Sequence, residues 1–385
     1  MSDQRQKTRL AVVCGGRSAE HEVSLASTKN IIAALNQEKY EIVLLMLDRQ
    51  GRLLASDASE ASRLAGVATG TQLAAGSHVV EESEWEQAPS DAVTIARDES
   101  GTSLIRLRDR RNQMSIDVLF PVMHGPDGED GSIQGLARLA GIPVVGSGVL
   151  GSAVNMDKDV MKRLLREAGL PIPQFVSVKN SDRARLTFEG IAEQLGLPFF
   201  VKPANLGSSV GVSRVDSEED FDSAIDGAFC YDTKILCEEF INGRELECAV
   251  LGTSEPIASV PGEIVTARTH GFYSYEAKYL DEHGASLRIP AAVHQELAAR
   301  IRELACRAFA ATCCEGMARV DFFLRGEDEI VINELNTIPG FTDVSMFPRL
   351  WEASGMTVSE VLDRLIEDAV QRFEARSRLK TRVGE

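Results

Sequence analysis

Arg9 to Cys14 is an apolar, β-rich run that Gly15-Gly16 breaks, and a helical pattern follows at once through Val23, Ala26, Ile31, Ala34 and Leu35. Tyr40 to Leu47 reads as the next strand, and Ile116 to Met123 as another. Parallel strands cannot be joined by a tight turn, so strands that alternate with helices imply crossovers and a parallel sheet. The fold class expected is therefore α/β. Residues 51–112 interrupt the alternation. They are rich in Ala, Ser, Gly and Glu, with short β-like pieces such as Thr102 to Leu107, and read as an insertion that carries no chemistry.

The rest of the chain keeps the mixed pattern. Helices are expected at Met156 to Ala168, ended by Gly169 and Pro171, at Asp220 to Phe229, and as amphipathic stretches at Val293 to Phe309 and Val358 to Phe373. Strands are expected at Phe199-Phe200-Val201 and Lys234 to Ile241, with short antiparallel strands from Leu246 to Ala267. A length of 385 residues suggests about two to three domains.

Charge disfavours one class of function. The formal net charge of −17 argues against non-specific nucleic-acid binding, which needs a cationic surface, as the main function. It does not exclude ATP, because a few local lysines and metal ions suffice. The N-terminal MSDQRQKTR has no apolar signal core and no apolar run reaches ~18 residues. A soluble cytoplasmic protein without membrane partners is expected. The seven cysteines include no CxxC pair and read as reduced core thiols.

The first chemical signal is a hairpin. Arg319 to Arg325 and Ile330 to Asn336 are β-like runs separated by Gly326-Glu327-Asp328-Glu329. A centred register places Arg325 opposite Ile330, Asn333 opposite Phe322, Asp321 opposite Glu334 and Arg319 opposite Asn336. With a side-chain period of two, Arg319, Asp321, Glu334 and Asn336 share one face. Directly opposed carboxylates repel, and a hard divalent cation relieves them.

Two glycine-rich segments compete as phosphate cradles. Gly146-Ser147-Gly148-Val149-Leu150-Gly151 matches GxGxxG, but no acid is placed to hold a ribose. In Val201-Lys202-Pro203-Ala204-Asn205-Leu206-Gly207-Ser208-Ser209-Val210-Gly211-Val212 a strand delivers a lysine into a Gly/Ser loop, where backbone N–H groups can approach phosphate oxygens. No GxxxxGK[ST] motif exists. His124-Gly125-Pro126-Asp127-Gly128-Glu129-Asp130-Gly131 follows a strand; its acids either line a crevice or start a helix at Gly131. The six histidines lack zinc spacing, and nothing resembles an activated covalent nucleophile.

These segments in this order resemble the D-alanine–D-alanine ligases of the ATP-grasp superfamily. The resemblance rests on GGRSAEHEVS at 15–24, HGPDGEDG at 124–131, MDKDVMK at 156–162, VKPANLGSSVGV at 201–212, YEAKY at 275–279, ARVDFF at 318–323 and INELNTIPGFT at 332–342. It implies an ATP-grasp fold with an N-terminal Rossmann-like domain at 1–155, a central lobe at 156–241 and a C-terminal lobe at 242–385 with a mobile loop at about 268–290. It also makes the GxGxxG segment a decoy.

The resemblance implies roles as well. Glu20 would hold the ammonium of the first D-alanine, linked through Ser208 toward Tyr279, with His124 nearby. Lys158 and Lys202 would contact ATP phosphates. Glu238, Glu239, Phe240 and Ile241 would line the adenine pocket and Glu245 would hold the ribose; Ser209, Lys278 and Asn333 would complete the nucleotide site. Arg319 and the Gly340 N–H would stabilise an oxyanion. Asp321, Glu334 and Asn336 would bind two Mg²⁺ or Mn²⁺. Ser345 and Met346 would face the second D-alanine. A homodimer is implied too. Tyr279 favours D-alanine over D-lactate or D-serine as second substrate. A nucleotide-binding regulator with a dead site would lack one of Lys202, Arg319, Asp321, Glu334 or Asn336, and all are present.

Overall fold

The computed structural model describes residues 7–56, 91–99, 101–266 and 285–380. Three sheets organise them. The first has seven strands: β1 (Thr8–Gly15), β2 (Tyr40–Leu47), β3 (Leu53–Ser56), β4 (Asp91–Asp98), β5 (Gly101–Arg106), β6 (Asn112–Ser115) and β7 (Val118–Pro121), in the order β6-β5-β4-β3-β2-β1-β7. β1 pairs in parallel with both β2 and β7. Leu10 to Cys14 are completely buried, as a parallel strand covered on both faces requires. The crossover from β1 is helix α1 (His21–Ala34). Its Ser24 hydroxyl donates to the Val122 carbonyl and accepts from the Gly15 N–H, fixing the helix across the strand ends that carry the site.

The described strands of the segment read as an insertion join this sheet. Strands β3 to β6 extend the sheet by antiparallel pairing from β2 outward. The strand expected at 116–123 is shorter, because only Val118–Pro121 pairs with β1.

The second sheet holds β8 (Phe175–Lys179), β9 (Phe199–Pro203), β10 (Ser213–Val215) and β11 (Lys234–Glu239) in the order β10-β9-β11-β8, all antiparallel. The third holds β12 (Gly243–Gly252), β13 (Ile257–Ala258), β14 (Gly262–Thr266), β15 (Ala285–Arg288), β16 (Gly316–Arg325) and β17 (Glu329–Asn336), in the order β15-β14-β12-β16-β17 with β13 on β12.

The helix expected over 156–168 is found over 158–167, and a separate helix runs directly into its start. After α2 (Ser132–Ala140), α3 (Val149–Met156) ends at Asp157, whose carboxylate then accepts the N–H groups of Asp159 and Val160 and starts α4 (Lys158–Glu167). α5 (Phe188–Leu195) and α6 (Glu218–Phe229) cover the second sheet, and α7 (Gln295–Ala311) covers the third. The last helices are α8 (Met346–Ala353) and α9 (Val358–Ser377).

One apolar cluster joins the chain's two ends. Leu10, Val12, Val118 and Phe120 of the first sheet pack with Phe347, Trp351, Leu362 and Leu365 of α8 and α9. Each such side chain contributes about 1.5–3 kcal/mol on burial. This packing brings the loops after β1 and β7 against the end of β17. Among the described residues no helix is long and apolar enough to cross a membrane.

The β16–β17 hairpin corrects the centred register in one half. Arg319 pairs with Asn336 and Asp321 with Glu334, as expected. Then Phe322 pairs with Ile332 and Arg325 with Glu329, so Asn333 is an unpaired bulge residue. The cause is the core. Ile330, Ile332 and Leu335 all pack in one cluster with Val320, Phe322 and Leu324. Strict alternation would turn Leu335 and Ile332 to opposite faces; one extra residue lets both point inward while Glu334 and Asn336 stay outside.

Candidate active site

A cavity of about 560 Å³ opens where the three sheets meet. Ten of the residues expected in the site line it: Glu20, His124, Lys158, Ser208, Arg319, Glu334, Asn336, Gly340, Ser345 and Met346.

Its floor is a row of acids. Glu247 of β12 lies opposite Asp321 of β16, which lies opposite Glu334 of β17. Three carboxylates in register repel one another. Two cations quench them. Arg319 grips Asp321 with two hydrogen bonds of 2.7 Å and lies 3.1 Å from Glu247. Lys158 Nζ lies 3.3 Å from Glu334 and donates to the Leu206 carbonyl at 2.6 Å. Burial disfavours the Arg319 charge, but Asp321 and then Glu247 outweigh it and hold the guanidinium's pKa well above its ordinary value.

The donor set of Asp321, Glu334 and Asn336 is oxygen-only and suits a hard divalent cation. Among the described residues no three His, Cys, Asp or Glu side chains form a ready-made metal cluster; the set is two acids and an amide, with Asp321 held by Arg319. An adjacent amide fits the same chemistry: Asn333 Oδ1 is buried and has no hydrogen-bond partner among the described residues. Removing one oxygen ligand should cost at least the ~10–100-fold that loss of an outer-sphere partner costs. Asn336→Ala is therefore expected to raise the Mg²⁺ concentration for half-maximal turnover by about that factor, read from a Mg²⁺ titration of the rate.

The opposite wall comes from the first sheet. Ser208 donates a short hydrogen bond to Glu20. Ser208 and Ser209 both have positive φ, 52° and 59°. Two consecutive non-glycine residues in the left-handed region are strained, and the strain aims the Ser208 hydroxyl at Glu20. His124 is buried; its Nδ1 meets the Ile338 carbonyl at 2.8 Å, which assigns the proton there, and its Nε2 has no partner among the described residues. Burial, against the pull of Glu20, lowers its pKa below the ordinary 6.5. The neutral ring then offers Nε2 as an acceptor. A folded pKa below the unfolded one gives stability that is present above 6.5 and lost as pH falls. His124→Gln should therefore show a smaller fall in melting temperature between about pH 7.5 and about pH 5.5 than the parent protein.

Glu129 is a site residue that the sequence reading left undecided. It does not start the helix; Asp130 does that, accepting from the Ser132 N–H at 2.8 Å. Glu129 lines the cavity and accepts from the Gly125 N–H at 2.8 Å and the Ile338 N–H at 3.1 Å. Burial, then the charge of Glu20, push it up to about 8. Together with Ser27, which accepts from the Phe341 N–H, and Asn30, which donates to the Phe341 carbonyl, it pins the loop after β17 to the first sheet. That loop carries Gly340. A Cβ there would stand 2.8 Å from Ser345 Oγ and would push that hydroxyl off its bonds to Thr342.

A second polar cluster lies in the β9–β11 sheet. Lys202 on β9 pairs with Glu238 on β11 at 2.5 Å, and the fully buried Lys162 pairs with the other Glu238 oxygen at 2.8 Å. Burial alone would raise Glu238, but Lys162 and then Lys202 hold it below its ordinary value. Phe240 packs against Phe200 at 6.0 Å, with the Arg214 guanidinium 5.2 Å above its ring. Ile241 is buried. The Glu239 carboxylate turns away, toward the Gln174 N–H and Arg325. Glu245 lies two residues before Glu247 on β12, opposite Phe323. Lys278 and Tyr279, with most of the loop expected at 268–290, lie outside the described residues.

The GxGxxG segment serves packing. A Cβ on Gly151 would sit 2.3 Å from the Cys313 carbonyl, and the Cα of Gly146 lies 2.9 Å from where Gly316 would place one. Ser147 exchanges hydrogen bonds with the backbone of Glu315. These glycines let the chain near residues 313–316 press against the start of α3. Cys14, Cys237, Cys248 and Cys314 are buried free thiols as expected, whereas Cys230 and Cys313 are exposed.

Two family models cover most of the chain: D-ala D-ala ligase N-terminus over residues 9–147 and D-ala D-ala ligase C-terminus over residues 164–367. A D-alanine–D-alanine ligase of Oceanobacillus iheyensis is 45% identical over 379 residues, 97% of this chain and 98% of its own. D-alanine–D-alanine ligase A of Escherichia coli K12 is 47% identical over 387 residues, 98% and 99% of the two chains. Among solved structures, the D-alanine-D-alanine ligase from Coxiella burnetii superposes with a TM-score of 0.80 at 35% identity over 97% of each chain. The VanG D-Ala:D-Ser ligase of Enterococcus faecalis gives 0.80 at 35% identity over 94% of this chain and all of its own. Similarity of this extent, end to end and in both matched halves, shows that the chain belongs to the D-alanine–D-alanine ligase family.

Proposed function

We infer that the protein joins two D-alanines into D-alanyl-D-alanine for peptidoglycan precursors, with cleavage of ATP to ADP and phosphate. The observation that carries this is the cavity in which Glu20, Arg319 and Glu334 converge, with Asp321 paired opposite Glu334 on the neighbouring strand. A carboxylate oxygen of the first D-alanine attacks the γ-phosphorus; the bond to ADP breaks and an acyl phosphate forms. The second D-alanine's amine attacks the acyl carbon and loses a proton, and the tetrahedral intermediate expels phosphate. Such transfers need positioning and charge more than a protein nucleophile.

The roles proposed are those that the family resemblance implies. Glu20, aimed by Ser208, holds the ammonium of the first D-alanine beside His124. Lys158 and Lys202 meet the phosphates, with Ser209 and Asn333 beside them. The segment Glu238 to Ile241 takes the adenine and Glu245 the ribose. Arg319 and the Gly340 N–H face the oxyanion, and Ser345 and Met346 the second D-alanine. Asp321, Glu334 and Asn336 would hold two Mg²⁺ or Mn²⁺, whose chemistry is to neutralise phosphate charge. Lys278 and Tyr279, outside the described residues, keep the roles the resemblance implies: Lys278 in the nucleotide site, and Tyr279 favouring an amine nucleophile.

The working unit proposed is a cytoplasmic homodimer whose chain divides at about 155 and 241. Separate apolar clusters on the first sheet and on the β8–β11 sheet support that division, while Met161, Leu165 and Leu170 of the central segment pack with the third sheet. The test is phosphate release with ATP, Mg²⁺ and D-alanine alone, then with D-lactate or D-serine added, the product identified by mass. Release only with a mixed pair would overturn D-alanine as second substrate. ATP binding without release from any pair would overturn the ligase reading.

A further inference from the structure

Lys162 is completely buried, which lysine almost never is unless paired. Its ammonium lies 2.8 Å from Glu238 and donates to the Asn333 carbonyl at 3.0 Å. It stands four residues after Lys158 on α4, so both project from one helix face. That face grips two consecutive residues of β17: Lys158 holds the Glu334 carboxylate and Lys162 the Asn333 carbonyl. The helix is anchored by Met161 and Leu165, both fully buried in the core of the third sheet.

We propose that Lys162 is a positioning residue for nucleotide recognition: it fixes the Glu238 carboxylate for the base and ties it to the bulge beside Glu334. This rests on the reading of the β9–β11 cluster as the base end of the ATP site. Lys202 also contacts Glu238, but it is needed for phosphate. Lys162 cannot reach solvent, so it is the cation that stays. Glu238 Oε1 accepts from Lys202, and Oε2, 2.8 Å from Lys162, has no hydrogen-bond partner among the described residues, so both oxygens keep accepting capacity. Held there, the carboxylate accepts from the exocyclic amine of adenine and repels the carbonyl that guanine presents at the same edge. The carbonyl contact carries the same constraint to β17. The bulge at Asn333 frees that carbonyl from the ladder, and Lys162 takes it. Burying an ammonium is unfavourable unless it is paired, and the Glu238 carboxylate and the Asn333 carbonyl pair it.

The test uses the full-length protein with ATP and GTP as probes. ATP affinity is measured by titration calorimetry, and KM and kcat by phosphate release, for Lys162→Met, Lys162→Arg and Lys202→Met. Lys162→Met is expected to weaken ATP binding at least ~10-fold, to narrow the preference for ATP over GTP, and to raise the KM for ATP more than that for D-alanine. Lys162→Arg restores most of the loss. Unchanged ATP affinity and base preference in a folded Lys162→Met, with ATP binding weakened in Lys202→Met, overturns the positioning role alone. ATP binding indifferent to both substitutions overturns the site reading with it. Should Lys162→Met not fold, Glu238→Gln supplies the measurement: it keeps the shape, and an unchanged ATP over GTP preference there overturns the proposal.

Discussion

Arg319→Met is expected to lower kcat by about 10³-fold while the KM for ATP changes little, because one preorganised donor to a developing oxyanion is worth ~10²–10³ in rate. The geometry makes Arg319 more than a donor. It is half-buried on the acid row, clamped by Asp321 and flanked by Glu247. Two carboxylates hold the guanidinium rigid, so no reorganisation is needed when negative charge develops on the reacting carbon's oxygen. Glu247 matters for a second reason. If Asp321 turns to a metal ion, Glu247 still anchors Arg319. Methionine would also leave those acids without their cation, at a cost of about 3–5 kcal/mol in stability. Arg319→Lys separates the two effects: an ammonium restores the charge but not the two-pronged grip, so it should recover the melting temperature more than the rate. A folded Arg319→Met with kcat within ~10-fold of the parent would remove Arg319 from the chemistry.

The acid row shows how far the sequence reaches. Asp321, Glu334, Asn336 and Arg319 were legible because period two and a short connection define a hairpin face locally. The bulge at Asn333 was not, because nothing at Asn333 signals it; it exists so that Ile332 and Leu335 can enter one core. Glu247 joins the row only through the β12–β16 pairing, set by strands about 70 residues apart. Lys162 reads locally as one more solvated lysine, since its partners Glu238 and Asn333 lie far along the chain. Glu129 looks like a helix-starting acid until its carboxylate is seen to meet the Ile338 N–H. The glycines at 146–151 are the opposite case: the pattern is plain, but its meaning is set by the backbone near Cys313 and Gly316. Local periodicity therefore gave the faces, while the partners across them depended on packing between distant segments.

Glu20→Gln is expected to lower kcat/KM for D-alanine by roughly 10²–10³-fold, with the KM for ATP unchanged, since removing one partner of a buried ion pair costs about 3–5 kcal/mol. The glutamine keeps the shape and the hydrogen bond from Ser208, so the loss isolates the charge that pairs with the substrate ammonium. Ser208→Ala should cost less, about 10–100-fold, because it removes one hydrogen bond to a charged group and leaves the charge. The site provides an independent check. The Glu20 charge is the second largest influence holding Glu129 up at about 8, and it raises His124 against the effect of burial. Neutralising Glu20 should therefore move both pKa values down. The direction is readable by carbon-detected titration of the labelled carboxyl and imidazole, without any substrate present. If Glu20→Gln abolished activity while Glu129 stayed at its parent value, the glutamine would have displaced the loop at 124–131 and the kinetic loss would reflect misplacement. If Glu129 moved down and D-alanine turnover stayed intact, Glu20 would be in the cavity without holding the ammonium.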